Sequence, residues 1–253
     1  MFPGARGRRS RNAAAAAASA PSLDTDNFLK QSTDLIPAEV RMISGCHSEQ
    51  TSADVSNVAA VSSGLPNPAG RAGGACTSAL LDILWDSARG GNYLSFQEVL
   101  LGLRDSLANK GFDQIPQLTS SRPLDVKDTP FHIVGGTGRR RAVLVGINYV
   151  NQSGELSGCH NDVFNMRKYL MEMHGFPKTD ITLLLDDGSH PYPTREKIIS
   201  ELKRLVAQSV AGDSVYFHYS GKAPTGIFYV CWRKSCGRIL SLSVCVCNQD
   251  APM

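Results

Sequence analysis

The second half of the chain alternates short apolar runs with segments of helical periodicity. The apolar runs are "RAVLVGINY" (141–149), "ITLLLDD" (181–187) and "GDSVYFHYSG" (212–221). Between them, 161–175 and 193–209 repeat apolar residues every three or four positions, which is typical of helices that bury one face. This order predicts an α/β fold with a mostly parallel sheet flanked by helices, and function at the carboxyl ends of the strands.

The first half carries a weaker pattern of the same kind. The segment 39–46 predicts a short strand that ends at a glycine turn, and 116–125 predicts an edge strand. Two helices are predicted between these strands, over 73–90 and 94–111. The second helix begins with a capping box, because Ser95 is followed three residues later by a glutamate.

Composition and charge restrict the class of protein. The 253 residues are 42% hydrophobic with a formal net charge of +3, so charge alone gives no nucleic-acid signal. No apolar run approaches the ~20 residues of a membrane helix. The expected organisation is an Arg- and Ala-rich leader (1–24), a first block (25–126), a polar linker (127–140), a second block (141–221) and a tail (222–253).

The compartment follows from the cysteines and the leader. The seven cysteines are odd in number and no secretory signal precedes them, which favours a reducing, cytoplasmic environment. The leader is either disordered low-complexity sequence or an organelle-targeting segment. Four cysteines lie within 231–247 without CxxC spacing or histidine partners, so no metal site is predicted there.

Five stretches of the second block, in order, resemble the large subunit of the metacaspases, the caspase-like cysteine endopeptidases of plants, fungi, protists and algae. They are "AVLVGINY", "ELSGCHNDVFNM", "ITLLLDD", "PTREKI" and "AGDSVYFHYSG". In the first block, "MISGCHSEQTSADV" and "GGACTSALLDIL" are similar to the family's small subunit. That subunit follows the large one in most metacaspases, and the reversed order resembles the type III arrangement. The resemblance implies a caspase–hemoglobinase fold and, for the family, calcium-stimulated cleavage of peptide or protein substrates after Arg or Lys.

The catalytic residues depart from the family pattern. A cysteine thiolate and a histidine carry out the family's reaction, and the histidine follows His-Tyr-Ser-Gly at the end of a strand. Lys222 stands at that position, and lysine at its ordinary pKa is no base near neutral pH. His218 is interpreted as a structural histidine of the strand. The nucleophile motif Asp-Ser-Cys-His-Ser-Gly is absent, since Cys236 lacks its neighbouring acid and histidine.

We therefore expect a chain truncated before the catalytic dyad and inactive as a peptidase. The calcium ligands of the family also lie beyond Gly221, so no cofactor is expected in this chain. Asp186 and Asp187 end a strand and are interpreted as solvated loop acids rather than cation ligands. The missing central strand would leave the sheet incomplete, and 239–247 is the candidate segment to fill the gap.

The substrate pocket is the part of the site that the resemblance retains. Matching "SGCHND" to the family places Cys159 and Asp162 in the pocket for a basic side chain, and Ser220 at its wall. A carboxylate at the base of a pocket selects a cationic side chain. From the residues alone, Asp162 has an alternative role as the N-cap of a helix that begins near Val163. Cys46 is a candidate redox-sensitive thiol near the active site.

Two functions remain open at this point. The first is an inactive member of a family of cysteine endopeptidases, whose substrates carry Arg or Lys. The second is a pseudoprotease, a regulatory protein that binds basic peptides or an active metacaspase. Neither nucleic acid nor a membrane is an expected partner, and the sequence does not indicate an oligomeric state.

Overall fold

The computed structural model describes only part of the chain. The described residues are 27, 30–31, 33–34, 36, 38–46, 54–55, 73–91, 93–222 and 240–244. The predicted leader and the cysteines of the tail lie outside these residues. No helix among the described residues is long and apolar enough to cross a membrane.

From residue 40 onward, the described part of the chain contains four α-helices and eight strands. In order they are β1 (Val40–Ser44), β2 (Asp54–Val55), β3 (Gly73–Gly74), α1 (Ala75–Gly90), α2 (Phe96–Asn109), β4 (Gln117–Ser120), β5 (Arg140–Gly146), α3 (Cys159–His174), β6 (Ile181–Leu185), α4 (Arg195–Ala207), β7 (Ser214–Ser220) and β8 (Leu240–Val244). A short 3₁₀ turn, Lys178–Asp180, precedes β6. Every helix and strand predicted from the pattern is confirmed, with ends shifted by a few residues.

The main sheet has six strands in the order β4-β1-β8-β7-β5-β6. β5 pairs in parallel with both β6 and β7, and β8 pairs in parallel with both β7 and β1. β4 is antiparallel to β1 and lies at the edge of the sheet, as predicted. The sheet is therefore mostly parallel, and the predicted α/β fold class is confirmed.

The tail contributes a central strand of this sheet. β8 lies between β1, from the first block, and β7, from the second. Its register pairs Leu240 with both Val40 and Val215. The prediction that part of 239–247 fills the gap in the sheet is confirmed, because β8 joins the strands of the two blocks into one sheet.

Helices cover both faces of the sheet and produce two hydrophobic cores. On one face, Ile198, Leu202 and Leu205 of α4 pack against the alternate strand residues, among them Val143 and Phe217. On the other face, the apolar sides of α1, α2 and α3 pack together over residues that include Leu144 and Tyr216. Strands buried on both faces explain the continuous apolar runs of β5 and β7.

Local signals set the helix ends. The capping box is confirmed, because Ser95 Oγ accepts a hydrogen bond from Glu98 N and Ser95 N donates to Glu98 Oε2. Gly175 ends α3 in the left-handed conformation, with φ 59°. α3 begins at Cys159, two residues earlier than the pattern indicates, with Gly158 at its N-cap. The early start places Cys159 in the first turn.

Candidate functional site

The carboxyl ends of the parallel strands meet at one edge of the main sheet. β5 ends at Gly146, β6 at Leu185 and β7 at Ser220, and their loops are therefore neighbours. β1 runs in the same direction through its parallel pairing with β8, so Cys46 also follows a strand at this edge. The residues predicted to line a site thus lie on one side of the molecule.

Asp162 and Ser220 are in direct contact at this edge. Asp162 is 1% exposed and lies in the first turn of α3. Its Oδ2 accepts a hydrogen bond of 2.7 Å from Ser220 Oγ, and its Oδ1 accepts one of 2.9 Å from Gly74 N. The N-cap of α3 is Gly158, and no side chain caps the helix. The alternative that Asp162 caps its own helix is therefore wrong, because its carboxylate bonds to other elements.

Cys159 lies beside the same pair of residues. Its backbone N–H donates to Asn148 Oδ1 at 2.9 Å, and its side chain is buried. Burial raises the pKa of the Cys159 thiol far above its ordinary value, the charge of Asp162 raises it further, and a hydrogen bond with Ser220 acts against both. Cys159 is therefore a neutral thiol, and the structure brings the three predicted pocket residues together.

The carboxylate of Asp162 has donors but no cation. Burial raises its pKa to about 7, while the hydrogen bonds from Ser220 and Gly74 act to lower it. Among the described residues, no ion pair joins Asp162 to a lysine, arginine or histidine. A buried carboxylate with only neutral donors is costly to ionise, so this group is suited to a cationic ligand.

Lys222 follows β7 and is held by two tyrosines. The hydroxyls of Tyr149 and Tyr219 donate to the Lys222 carbonyl at 3.0 Å and 2.9 Å. Lys222 Nζ lies 5.3 Å from the centroid of the Tyr149 ring, a distance at which an ammonium is attracted to the ring face. The residue predicted to stand at the family's histidine position thus lies against an aromatic ring.

His218 lies inside the sheet rather than in the loops at its edge. It is fully buried, and neither ring nitrogen has a hydrogen-bond partner among the described residues. Burial lowers the pKa of His218 to about 3, so the imidazole is neutral. These features support its interpretation as a structural histidine.

Asp186 is buried, which corrects the interpretation of both strand-end acids as solvated. It is 7% exposed and accepts hydrogen bonds from the N–H groups of the 148–150 segment and from His160 Nε2, at distances of 2.6–3.3 Å. Burial acts to raise its pKa, but these hydrogen bonds hold the pKa below its ordinary value. Tyr149 in this segment has a φ of 56°, so Asp186 holds a loop that contains a left-handed residue.

Asp187 differs from its neighbour in exposure. Its Oδ1 accepts from the N–H groups of Ser189 and His190, and its Oδ2 lies 2.8 Å from His190 Nδ1. No group of three or more His, Cys, Asp or Glu residues suited to a metal ion occurs in the described part of the chain. Cys46 is half-buried, and its carbonyl accepts from Ser44 Oγ at 3.2 Å; its redox role stays a prediction.

Asp54 is a residue of this site that the sequence analysis did not single out. It lies in β2, and its Oδ2 accepts hydrogen bonds from Ser157 N at 2.8 Å and Ser157 Oγ at 3.1 Å. Its charge contributes to the raised pKa of Asp162. Its partner Ser157 is 103 residues away in the sequence, so no local pattern indicates the contact. The sequence signal for Asp54 is its place in the stretch "SGCHSEQTSAD".

Comparison with known families matches the two blocks separately. The sequence model described as "Metacaspase, peptidase C14 domain" matches residues 140–227. The one described as "Caspase domain" matches residues 12–126. The caspase-domain match thus comes first along the chain, and the metacaspase match includes Cys159, Asp162, Ser220 and Lys222.

The curated relatives are metacaspases. The chain is 50% identical over 200 residues to "Metacaspase III c" of Phaeodactylum tricornutum, covering 78% of this chain and 58% of that protein. It is 39% identical over 120 residues to "Metacaspase-1A" of Aspergillus oryzae, covering 45% and 29%, and 45% identical over 96 residues to "Metacaspase-1" of Pyricularia oryzae, covering 37% and 24%. The chain therefore spans less than two thirds of the length of these relatives. With caspase-domain and peptidase C14 matches on one α/β fold, residues 140–227 carry a metacaspase peptidase C14 domain, and most of the chain is similar to a type III metacaspase.

Proposed function

We propose that this chain binds peptides through an arginine or lysine side chain and does not hydrolyse them. The observation that carries the proposal is the buried carboxylate of Asp162, which has only neutral donors and no cation among the described residues. A guanidinium or ammonium group would supply the missing charge-assisted hydrogen bonds. The preference for Arg or Lys that the metacaspase resemblance implies supports the same ligand.

The residue at position 222 supports the absence of hydrolysis. Lys222 stands where the family carries its catalytic histidine, and its side chain rests on the Tyr149 ring. A protonated ammonium accepts no proton from a thiol at neutral pH. Cys159 is a poor nucleophile, because burial and the neighbouring carboxylate keep its thiol protonated.

Binding is tested with two fluorescent peptides that differ at one residue, arginine or its neutral isostere citrulline. We expect fluorescence anisotropy to show about tenfold tighter binding of the arginine peptide, which corresponds to ~1.4 kcal/mol. Asp162→Asn should remove this preference. Asp105→Asn, an exposed position on α2, removes the same charge and should keep it. Equal affinities for the two peptides would contradict the proposal.

Hydrolysis is tested with a fluorogenic arginine peptide, with and without calcium. We expect no turnover under either condition. Calcium-dependent cleavage that Cys236→Ala abolishes would show that the chain is an active peptidase with its own nucleophile.

A further inference from the structure

The carboxylate of Asp162 lies at a joint between the two blocks of the chain. Gly74 of β3, in the first block, donates its N–H to Asp162 in the second block. In the opposite direction, Ser157 of the second block donates its N–H and its hydroxyl to Asp54 of β2. β2 and β3 pair with Asp54 opposite Gly74. Each block therefore contributes one carboxylate that accepts hydrogen bonds from the other block.

Glycines allow the backbone of the joint to approach each of these two carboxylates closely. A Cβ placed on Gly74 would lie 2.6 Å from Asp162 Oδ2. A Cβ placed on Gly158 would lie 2.4 Å from Asp54 Oδ1 and 2.4 Å from Gly73 Cα. Neither position has room for a side chain, so the backbone of the joint is packed directly against both acids.

One carboxylate oxygen at this joint lacks a hydrogen-bond partner within the described part of the chain. Asp54 Oδ1 is shielded from solvent and has no hydrogen-bond partner among the described residues. The hydroxyl of Thr77, a residue that is 1% exposed, faces Asp162 and acts through a hydrogen bond to lower the pKa of that carboxyl. This hydroxyl lies 3.7 Å from the Cβ position on Gly74, on the same side as Asp162. Buried polar atoms are rarely left unpaired, so Asp54 Oδ1 retains the capacity to accept a hydrogen bond from a ligand group.

The electrostatics of the joint favour a positive charge. Burial is the main cause of the raised pKa of Asp162. The negative charge of Asp54 raises this pKa further, whereas hydrogen bonds act to lower it. A like charge nearby disfavours the ionised form of Asp162. A cation that touches both carboxylates would relieve the repulsion and the burial cost together.

We propose that Asp54 is a second carboxylate of the basic-side-chain pocket, supplied by the first block to act with Asp162 on a guanidinium group. This assignment rests on the proposed function. A guanidinium carries five N–H donors in a planar fork, enough to reach two carboxylates, whereas an ammonium is a single compact charge. The pocket therefore prefers arginine to lysine and is complete only where the two blocks are docked.

The test uses Asp54→Asn with the arginine and citrulline peptides. We expect the affinity for the arginine peptide to fall about tenfold, a change of ~1.4 kcal/mol, while the affinity for the citrulline peptide stays the same. The asparagine keeps one oxygen to accept from Ser157, so the joint should remain formed. The melting temperature of the variant checks this point.

Ser157→Ala serves as the matched structural control. It removes the hydroxyl donor to Asp54 and leaves the carboxylate charge in place, so the arginine preference should persist. If Asp54 only held the two blocks together, Asp54→Asn would weaken both peptides equally. That outcome would overturn the assignment of Asp54 to the pocket.

A pH titration provides a second readout. Arginine binding requires ionised Asp162, so the affinity should rise with pH through a midpoint near the pKa of Asp162, about 7. Asp54→Asn removes a neighbouring negative charge and should move this midpoint to lower pH. An unchanged midpoint would contradict the placement of Asp54 beside Asp162.

The failures of the two proposals are distinguishable. Loss of arginine preference in Asp162→Asn but not in Asp54→Asn would overturn the role of Asp54 and leave the proposed function intact. A parent chain that binds both peptides equally would overturn the proposed function, and the role of Asp54 with it.

Discussion

Two buried aspartates lie at the same edge of the sheet and are held in opposite ways. Asp186 accepts four hydrogen bonds, three from backbone N–H groups and one from a histidine. Asp162 accepts two short ones, from a backbone N–H and a serine hydroxyl, and the Thr77 hydroxyl also acts to lower its pKa. Burial acts to raise both pKa values, yet the pKa of Asp186 is below its ordinary value and that of Asp162 rises to about 7.

The comparison separates a structural carboxylate from one suited to a ligand. An ionised carboxylate has roughly four acceptor sites, and the protein fills them at Asp186. The result is a fixed loop between β5 and α3. At Asp162 the described residues supply fewer donors and none of them is charged, which is why we propose a cationic ligand there. Burial alone does not distinguish the two acids, whereas the number of donors does.

The largest expected effect comes from Asp186→Asn. Asn148 N and His160 Nε2 bond to Oδ1, and two further N–H groups bond to Oδ2. Either orientation of the amide therefore points its NH₂ group at donors. We expect the free energy of unfolding to fall on the order of 3 kcal/mol, measured by urea denaturation at pH 7.

Asp187→Asn is the matched control at the next position. Both backbone donors there bond to Oδ1, so an amide oxygen can replace it. The amide NH₂ can then donate to His190 Nδ1. We expect a loss below about 1 kcal/mol. Equal losses in the two variants would mean that donor geometry does not explain the role of Asp186.

The sequence predicts the elements of the fold because their signals are local. The apolar runs of β5 and β7 and the capping box at Ser95 depend on neighbouring residues. Even β8 was a candidate, since a sheet with a missing central strand favours pairing by an apolar tail segment. The pocket residues were placed by the metacaspase resemblance rather than by periodicity.

The remaining errors concern hydrogen-bond partners that are distant in the sequence. Asp186 was interpreted as a solvated acid, but its donors lie 26 to 38 residues away and surround it. Asp54 was not singled out, because Ser157 approaches it only when the two blocks dock. A sequence pattern shows that an acid follows a strand, but it does not show how many donors point at it.

Asp162→Asn should change how the free energy of unfolding depends on pH, an effect of intermediate size. The folded-state pKa of Asp162 is raised from 3.8 to about 7, so its contribution to stability is fully present below pH 3.8 and is lost as pH rises towards 7. The asparagine variant lacks this loss. We compare the free energy of unfolding of the variant with that of the parent. The variant should gain on the order of 2 kcal/mol over the parent between pH 5 and pH 8.5.

Asp186→Asn should behave differently over the same range. The pKa of Asp186 is lowered, so its contribution is fully present above its unfolded value and is lost only as pH falls through the folded one. The titration of Asp186 itself should therefore add no difference in its destabilisation between pH 5 and pH 8.5, as chemical denaturation at both values would show. A parallel pH profile for the two variants would remove the distinction between the acids.

The smallest expected effect comes from Ser220→Ala, which takes one of the donors from Asp162. The hydroxyl favours the ionised carboxylate, so its loss should raise the pKa of Asp162 further and destabilise the protein mainly where Asp162 is charged. We expect the loss of unfolding free energy to be about 1 kcal/mol larger at pH 8.5 than at pH 5. Ser214→Ala, at the other end of β7, removes a buried hydroxyl that accepts from Gly135 N and should cost the same at both pH values. If the cost of Ser220→Ala is also independent of pH, the Ser220 hydroxyl does not stabilise the ionised form of Asp162. Another group must then stabilise that carboxylate.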